Sequence, residues 1–365
     1  MSEPGPPAPC GSPPQAPRPR PNPCPRFQGP GAHEKASPSP SSLRYLPMAR
    51  SLILVDVPLA SFIEELFAPD CRSGPWSLLE EGSRQALQEV EALFLYGHPI
   101  IDGPFMDRLP NLKVISNFGV GIDHVDLAAA AARGIPVGNT PGAVEGATAD
   151  MTLALLLACA RNVVAGDRYA RGPGFRYYDP SLFLGREVHG STLGIVGLGH
   201  IGREVARRAR GFDMRILYHS RHRKPEAESE LGVEYASLRE LLEQAHFVTL
   251  NVPMTPETRH LIGEEQLAWM RPDGVLINVA RGGVVDHEAL YRALSGNRIA
   301  GAAIDVTEPE PLPRDHPLLR LTNLVITPHL GSAGSRTRLR MARMTVDNIR
   351  AGLQGRPLPN AVKLL

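Results

Sequence analysis

A glycine-rich turn near residue 200 is the first feature of this sequence that suggests a chemical function. It comprises Gly197, Leu198, Gly199, His200, Ile201 and Gly202. The turn follows a strand-like run and precedes a helical segment. In that context Gly197 permits a tight turn, Gly199 lets the backbone approach a pyrophosphate, and Gly202 lets helix and strand pack closely. The helix N-terminus adds amide donors and a partial positive charge, so we predict a dinucleotide-binding site.

The next predicted strand bears on which dinucleotide binds. It runs into the segment YHSRHRK (218–224), which contains no acidic residue. An NAD site normally has Asp or Glu here, to accept hydrogen bonds from the ribose hydroxyls. The hydroxyl of Ser220 beside Arg221 and the following cations suits the 2′-phosphate of NADP(H) instead. A solvated basic loop is the alternative interpretation, and NADPH/NADP is expected over NAD.

Three charged side chains follow other strand-like runs of the same series: Arg281, Glu310 and His329. The carboxyl ends of strands in a doubly wound sheet face the ligand crevice, so these side chains can converge there. Taken singly, each has an ordinary explanation as a solvated charge, a loop acid or a structural histidine. Their shared position makes them candidate site residues.

Short apolar runs alternate with helical stretches and predict the scaffold that positions these residues. Strands are expected at 51–57, 92–96 and 112–116, and in a second series at 192–199, 214–220, 246–253, 274–280, 300–306 and 323–329. Helices are expected at 126–134, 145–163 and 331–352. Such alternation implies parallel sheets covered by helices on both faces, and therefore an α/β fold with two doubly wound domains.

The lengths of the two series predict how the domains are connected. The second series is long enough for a complete nucleotide-binding domain, and the residues that remain after it are too few for a further domain. We therefore expect a Rossmann-type cofactor domain at 144–330, inserted into a flavodoxin-like substrate domain built from 48–143 and 331–365. A cleft would lie between the two.

The first 47 residues differ in composition from the rest of the chain. They hold 15 of the 36 prolines, with 5 Lys+Arg and 2 Asp+Glu, which leaves 34 basic and 36 acidic residues in the remainder. A segment with few apolar side chains and many prolines predicts a disordered tail with polyproline character. Binding of an SH3-type module to this tail is the alternative interpretation. Initiation at Met48 would still yield the complete predicted body.

The overall composition disfavours several classes of function. A net charge of +1 provides no basic surface for nucleic acid. Cysteines at positions 10, 24, 71 and 159 lack CxxC spacing, which argues against a disulfide scaffold and a cysteine-rich zinc site. The longest apolar run, 151–160, is about half the length of a membrane span. We expect a cytoplasmic protein that binds no metal, nucleic acid or membrane.

Five segments, in this order along the chain, resemble the D-isomer-specific 2-hydroxyacid dehydrogenases. They are NFGVGIDHVD (117–126), GLGHIG (197–202), NVARGGVVD (278–286), AIDVTEPEP (303–311) and PHLGS (328–332). The similarity extends over about residues 50–362. Segment 305–319 and the acid-free strand end are most similar to the glyoxylate/hydroxypyruvate reductases and the 2-ketogluconate-reductase-like members. The resemblance implies reduction of small 2-keto acids to D-2-hydroxy acids by hydride transfer, with glyoxylate, hydroxypyruvate and 2-ketogluconate as candidate substrates.

The resemblance also implies roles for the three charged residues. His329 would donate the proton, as a protonated imidazole can near neutral pH. Glu310 would bond the other ring nitrogen, orient the ring and stabilise its charged form. Arg281 would bind and polarise the substrate through its forked donors.

Further contacts are implied by the same resemblance. The amides of Val120 and Gly121 would bind the substrate carboxylate from across the cleft. The expected cofactor neighbours are Thr148, Gly197, Gly199, His200, Ile201, Gly202, Ser220, Arg221, Pro253, Val279, Ala280, Asp305, His329 and Gly331. Asp305 also has a local reason, because an acid at a strand end can accept a hydrogen bond from the nicotinamide amide.

Two other activities fit the same fold. A dinucleotide-sensing, corepressor-like binding protein would retain a similar Arg, Glu and His set. An NAD-dependent oxidative D-2-hydroxyacid dehydrogenase would usually carry an acid near position 219.

The resemblance also implies an assembly, because the aromatic loop 172–185 corresponds to a dimer interface in this family. A homodimer is therefore expected, with Tyr177 and Tyr178 close to the partner's pocket.

Overall fold

The structure is a computed structural model that describes residues 50–67, 70–81 and 83–363. The predictions for residues 1–47, disorder and binding of an SH3-type module, fall outside these residues. They stay predictions.

Five parallel strands form the first sheet in the described part of the chain. They are β1 (Ser51–Val55), β2 (Cys71–Pro75), β3 (Val90–Leu95), β4 (Val114–Asn117) and β5 (Val137–Gly138). The helices of this region are α1 (Ser61–Phe67), α2 (Leu78–Glu81), α3 (Arg84–Gln88), α4 (Gly103–Asp107) and α5 (Leu127–Ala132). The strand order is β2-β1-β3-β4-β5, a flavodoxin-like doubly wound order.

The second sheet has seven parallel strands among the described residues. They are β6 (Thr192–Val196), β7 (Arg215–His219), β8 (Glu234–Tyr235), β9 (Phe247–Leu250), β10 (Val275–Asn278), β11 (Gly301–Ile304) and β12 (Leu324–Ile326). Their order is β12-β11-β10-β9-β6-β7-β8, so the direction of winding reverses between β6 and β9. Such a reversal is where doubly wound sheets bind their ligands.

Eight further helices complete the described chain. They are α6 (Glu145–Ala160), α7 (Val163–Ala170), α8 (His200–Ala209), α9 (Pro225–Leu231), α10 (Leu238–Gln244), α11 (Glu264–Trp269), α12 (His287–Ser295) and α13 (Ser335–Leu353). Single 3-10 turns lie at Arg210–Phe212, Gly282–Val284 and Pro317–Arg320.

Two helices show how the chain passes between the sheets. Helix α6 buries Leu153 and Leu156 against the second sheet, in a core that includes Ile195 and Ile277. Helix α13 returns to the first sheet, where Val346 packs in a core built around β1, β3 and β4. The chain therefore crosses from the first sheet to the second before α6 and crosses back before α13. The domain boundaries after residues 143 and 330 stay a prediction.

The predicted two-sheet α/β fold is confirmed, and all nine predicted strands are present. Strands β2, β5 and β8 were not predicted. Each lies at the edge of its sheet, and none has an apolar run: β2 reads CRSGP, β5 is two residues long, and both residues of β8 are exposed. An edge strand pairs on one side only, so it can form with little strand pattern of its own. The fourth edge strand, β12, has an apolar run (LVI) and was predicted.

The structure corrects the ends of two predicted helices. Helix α6 ends at Ala160 rather than 163, because Asn162 adopts a left-handed backbone conformation with φ of 52°. Helix α13 begins at Ser335 rather than 331. Residues 330 and 331 instead form a loop whose amides donate to the Asp305 carboxylate, so they do not join the helix.

No single described helix is long and apolar enough to cross a membrane. Helices α6 and α7 meet that test only when taken together, and they are bent by 61° relative to each other.

Candidate active site

The glycine turn lies at the reversal point of the second sheet and has the shape of a phosphate cradle. Gly197 has φ of +98°, and a Cβ there would lie 2.6 Å from the Asn251 carbonyl oxygen. A Cβ on Gly202 would lie 2.2 Å from the Gly197 carbonyl oxygen, whereas one on Gly199 would meet no described atom within 4 Å. Only the middle glycine therefore opens onto free space, at the N-terminus of α8, whose first turn has no side-chain cap. These residues fit the diphosphate of a dinucleotide.

The segment after β7 is tied to this turn. The Leu198 amide donates to Ser220 Oγ at 3.3 Å, and Lys224 Nζ donates to the Leu198 carbonyl at 2.7 Å. Arg223 pairs with Glu228 at 2.8 Å. The exposed Arg221 forms no ion pair within the described residues. Of the predicted cations, Arg221 is therefore the one left available beside Ser220.

Glu310 and His329 form a hydrogen-bonded pair at the carboxyl ends of β11 and β12. Glu310 Oε1 lies 2.9 Å from His329 Nδ1. Both side chains are about one-third exposed, which is consistent with groups that line an open cleft. With Nδ1 engaged by the carboxylate, Nε2 is the ring nitrogen left to face a ligand.

The buried Asp305 carboxylate builds the loop that carries His329. It accepts hydrogen bonds from Thr327 Oγ1 at 2.6 Å and from the amides of Leu330 and Gly331 at 2.7 Å each. The His329 amide donates to the Asp305 carbonyl oxygen at 2.9 Å. Asp305 thus organises the backbone on both sides of the histidine, a use that the sequence did not reveal. A contact with the nicotinamide amide stays a prediction.

Arg281 crosses from the second sheet to the first. Its Nε lies 3.1 Å from Asp123 Oδ1, and its Nη1 donates to the Ala280 carbonyl at 3.0 Å. A Cβ on Gly121 would lie 1.6 Å from Arg281 Nη2, so only glycine leaves room for the guanidinium there. Burial raises the pKa of Asp123, but the Arg281 charge, hydrogen bonds from its own backbone amide and from Arg281, and the His124 charge together outweigh burial and leave that pKa below its usual value. The Asp123 carboxylate is therefore ionised at neutral pH.

A buried asparagine holds the turn at 117–121 through hydrogen bonds. Asn117 Nδ2 donates to the carbonyls of Gly119 at 3.1 Å and Gly121 at 2.8 Å. Asn139 Nδ2 donates to the Val120 carbonyl at 2.8 Å. With their carbonyls held in this way, the Val120 and Gly121 peptides keep a fixed orientation beside Arg281.

The remaining predicted cofactor neighbours follow strands of the second sheet or open its helices. A Cβ on Gly331 would lie 3.2 Å from Asp305 Oδ2 and 3.5 Å from Thr148 Cγ2, so these three residues meet. His200 and Ile201 open helix α8, and Ile201 packs against cores of both sheets. The last three, Pro253, Val279 and Ala280, follow β9 and β10. Their contacts with a cofactor stay predictions.

Two histidines of the first lobe, the part of the chain built around β1–β5, lie next to this site, and sequence reasoning missed them: His98 contacts His329, and His124 contacts His98. The His98 ring stacks on the His329 ring with centroids 5.5 Å apart and an interplanar angle of 19°. The His124 ring meets His98 edge-on at 4.9 Å. His124 and Asp123 lie inside segment 117–126, which could have drawn attention to them. His98 is a single polar residue after a strand and carries no such signal.

Comparison with known proteins shows which family the chain belongs to. Residues 153–331 match the family described as D-isomer specific 2-hydroxyacid dehydrogenase, NAD binding domain. A glyoxylate reductase of Korarchaeum cryptofilum is 50% identical over 279 residues, 76% of this chain and 84% of the relative. The chain belongs to the D-isomer-specific 2-hydroxyacid dehydrogenase family. It is an NAD(P)-dependent oxidoreductase that acts on CH–OH groups.

Solved structures are similar over nearly the whole described chain. The TT0316 protein from Thermus thermophilus has a TM-score of 0.78 and 45% identity, over 86% of this chain and 100% of that one. An NADPH-dependent glyoxylate/hydroxypyruvate reductase from Sinorhizobium meliloti, in complex with NADP and malonate, has a TM-score of 0.74 and 32% identity. That match covers 86% of this chain and 97% of the reductase. These similarities, together with the cradle, support a nicotinamide dinucleotide as cofactor.

The buried state of His124 predicts a pH-dependent contribution to stability. Burial, followed by the Arg281 charge, lowers the pKa of His124 to about 4, although Asp123 opposes this shift. Below about pH 6.5 the unfolded chain therefore binds a proton that the folded chain excludes, and stability falls as the pH falls toward 4. When the pH is lowered from 7.5 to 5, the free energy of unfolding should fall in both proteins. We expect the fall to be about 2 kcal/mol smaller for His124→Phe than for the wild type.

Urea unfolding at the two pH values measures this difference. His189→Phe is the control, because the His189 side chain is 75% exposed and its loss removes an imidazole without altering the cleft. Equal losses in the wild type and His124→Phe would contradict the assigned burial effect.

Proposed function

We propose that the protein reduces small 2-keto acids to D-2-hydroxy acids, with NADPH as its preferred reductant. The observation that carries the proposal is the Glu310–His329 hydrogen bond after β11 and β12, together with Arg281, which follows β10 of the same sheet and reaches Gly121. The names of the relatives support the same reaction, since they include glyoxylate reductases and a glyoxylate/hydroxypyruvate reductase.

The proton would come from His329. A reduced nicotinamide, when bound, supplies the hydride that is added to the keto carbon. His329 Nε2 donates a proton to the developing alkoxide oxygen, while Glu310 holds Nδ1 and keeps the ring in one orientation. Glu310 also balances the positive charge of the imidazolium before transfer. The pair therefore acts as an oriented general acid.

The substrate carboxylate would bind at the contact between the two lobes. Arg281 offers planar donors and lies against Gly121 on the first lobe, where the Val120 and Gly121 amides would complete the anion site. Asp123 holds the guanidinium through Nε, so its outer nitrogens keep a defined direction. Positive charge at this point also stabilises the oxyanion that develops as the hydride arrives.

Changes to the proposed general acid and to the anion site test this mechanism. We expect His329→Ala to lower kcat by about 10²- to 10⁴-fold, the range for loss of a positioned acid. Arg281→Lys keeps the charge but loses the forked donors, so kcat/KM should fall by about 10-fold or more. Steady-state kinetics with glyoxylate and hydroxypyruvate gives both values, and thermal unfolding reports whether the variants fold.

Arg271→Ala is a suitable control, since Arg271 pairs with Asp273 away from the cleft. Its kinetics should match those of the wild type. Near-parental kcat/KM in His329→Ala or Arg281→Lys would refute the assigned roles.

Preference for NADPH rests on the segment after β7. Ser220 lies against the glycine turn, and Arg221 extends from the same segment without an ion pair among described residues. A hydroxyl and a guanidinium are the donors that a 2′-phosphate needs. The reductase from Sinorhizobium meliloti is named as NADPH-dependent, which favours the same cofactor here.

Replacing Arg221 separates the two cofactors. We expect the wild type to have a higher kcat/KM with NADPH than with NADH. Arg221→Ala should lower the NADPH value by about 10-fold and leave the NADH value within about twofold, because only NADPH carries the 2′-phosphate. Arg72→Ala, which breaks an exposed ion pair with Glu89 in the first lobe, is the control. A higher wild-type kcat/KM with NADH would contradict the proposal.

A panel of substrates distinguishes the remaining alternatives. Glyoxylate and hydroxypyruvate need only the carboxylate site and a small cleft, whereas 2-ketogluconate needs more room and more polar partners. Faster NAD-linked oxidation of 2-hydroxy acids than reduction of any keto acid would favour an oxidative dehydrogenase. Cofactor binding without turnover would favour the corepressor-like function.

A homodimer is the proposed assembly. Of the twelve large apolar side chains that are exposed in the described chain, seven lie between residues 163 and 184. They are Val163, Phe175, Tyr177, Tyr178, Leu182, Phe183 and Leu184. Such a cluster is typical of an interface, and a second copy of the chain is the occupant we propose.

Sedimentation analysis of the full chain tests the assembly. The wild type should have about twice the 39.6 kDa mass of one chain. Leu184→Arg places a charge in the cluster and should give a monomer, because Leu184 is 77% exposed in the single chain. Ile100→Arg is the matched control, since Ile100 is 76% exposed but outside the cluster. A monomeric wild type would refute the proposal.

A further inference from the structure

The mechanism proposed above leaves two cleft histidines without a role. His98 stacks on His329 with the ring centroids 5.5 Å apart, and His124 packs edge-on against His98 at 4.9 Å. The three rings form a continuous group from the first lobe to the general acid. His98 is therefore next to the group that would protonate the substrate.

His98 follows a turn that is anchored by hydrogen bonds, and its own backbone is strained. His98 and His329 both have left-handed conformations, with φ of 61° and 56°. That region is uncommon for residues other than glycine, and such strain is typical of functional positions. The turn before His98 is anchored by Asp56, whose carboxylate accepts from the amides of Tyr96 at 2.8 Å and Gly97 at 2.6 Å.

Both rings are neutral and have unused hydrogen-bonding capacity. Burial, followed by the charges of Arg281, His124 and His329, lowers the pKa of His98 to about 3. A neutral imidazole has one donor and one acceptor nitrogen. His124 is 9% exposed, and neither of its ring nitrogens has a hydrogen-bond partner among the described residues. A buried polar group without a partner costs free energy, so a polar ligand group at this position would be stabilised.

We propose that His98, backed by His124, is a specificity-determining residue that hydrogen-bonds a hydroxyl group on C3 of the substrate. The inference rests on the proposed function. With the substrate carboxylate at Arg281 and the keto oxygen at His329, the substituent on C3 is the remaining part of the substrate. This substituent would contact the neutral His98 ring beside His329. Glyoxylate has no C3, whereas hydroxypyruvate carries a hydroxyl there. The site is therefore suited to 3-hydroxy-2-keto acids.

The experiment compares kcat/KM for hydroxypyruvate and glyoxylate in two variants. His98→Phe keeps a flat ring against His329 but cannot hydrogen-bond. His98→Gly removes the ring and tolerates the left-handed backbone, so it folds even if the phenylalanine variant does not. In both variants we expect kcat/KM for hydroxypyruvate to fall by about 10-fold, as for loss of one hydrogen bond, with glyoxylate changed by less than about twofold.

His189→Phe is again the control and should leave both values unchanged. Parallel loss on both substrates in both His98 variants, or a larger loss on glyoxylate, would overturn the inference while leaving the proposed function intact. A wild-type enzyme that reduces neither substrate would instead refute the proposed function itself.

Discussion

Most of the candidate site depends on the reach of Arg281 from the second sheet to the first. The guanidinium is held by Asp123 and lies where any side chain at position 121 would be. One contact thus fixes the position of the Arg281 guanidinium relative to the turn at 117–121, and it joins the two lobes. An anionic substrate that binds there would touch both lobes at once, which is how an interdomain cleft couples binding to orientation.

A second constraint fixes the loop that carries His329, the proposed acid. The Asp305 carboxylate gathers a threonine hydroxyl and two loop amides, and these hold the loop on which His329 adopts its left-handed conformation. The ring can then meet Glu310 on one side and His98 on the other. Buried and multiply bonded carboxylates are rigid supports, so the placement of His329 does not rely on the flexible Glu310 side chain alone.

Sequence periodicity was sufficient for the interior strands and for the edge strand β12, but not for the other three edge strands. Strands such as β10 (VLIN) are fully buried and show apolar runs, whereas β2 and β8 pair only on one side and show none. The end of α6 was missed for a different reason. Asn162 adopts a left-handed conformation that its type permits but does not require. Likewise, the start of α13 is displaced because its would-be first turn bonds to Asp305.

Short segments of sequence were enough to predict the local features of this protein. A glycine turn between a strand and a helix, and charged residues at strand ends, follow from short segments, so Gly197–Gly202, Arg281, Glu310 and His329 could be named in advance as candidate site residues. Which distant side chains meet these residues depends on the folded chain. Asp123 is 158 residues from Arg281, and His98 comes from the other sheet to His329. Such pairings depend on how two sheets pack, which no segment encodes alone.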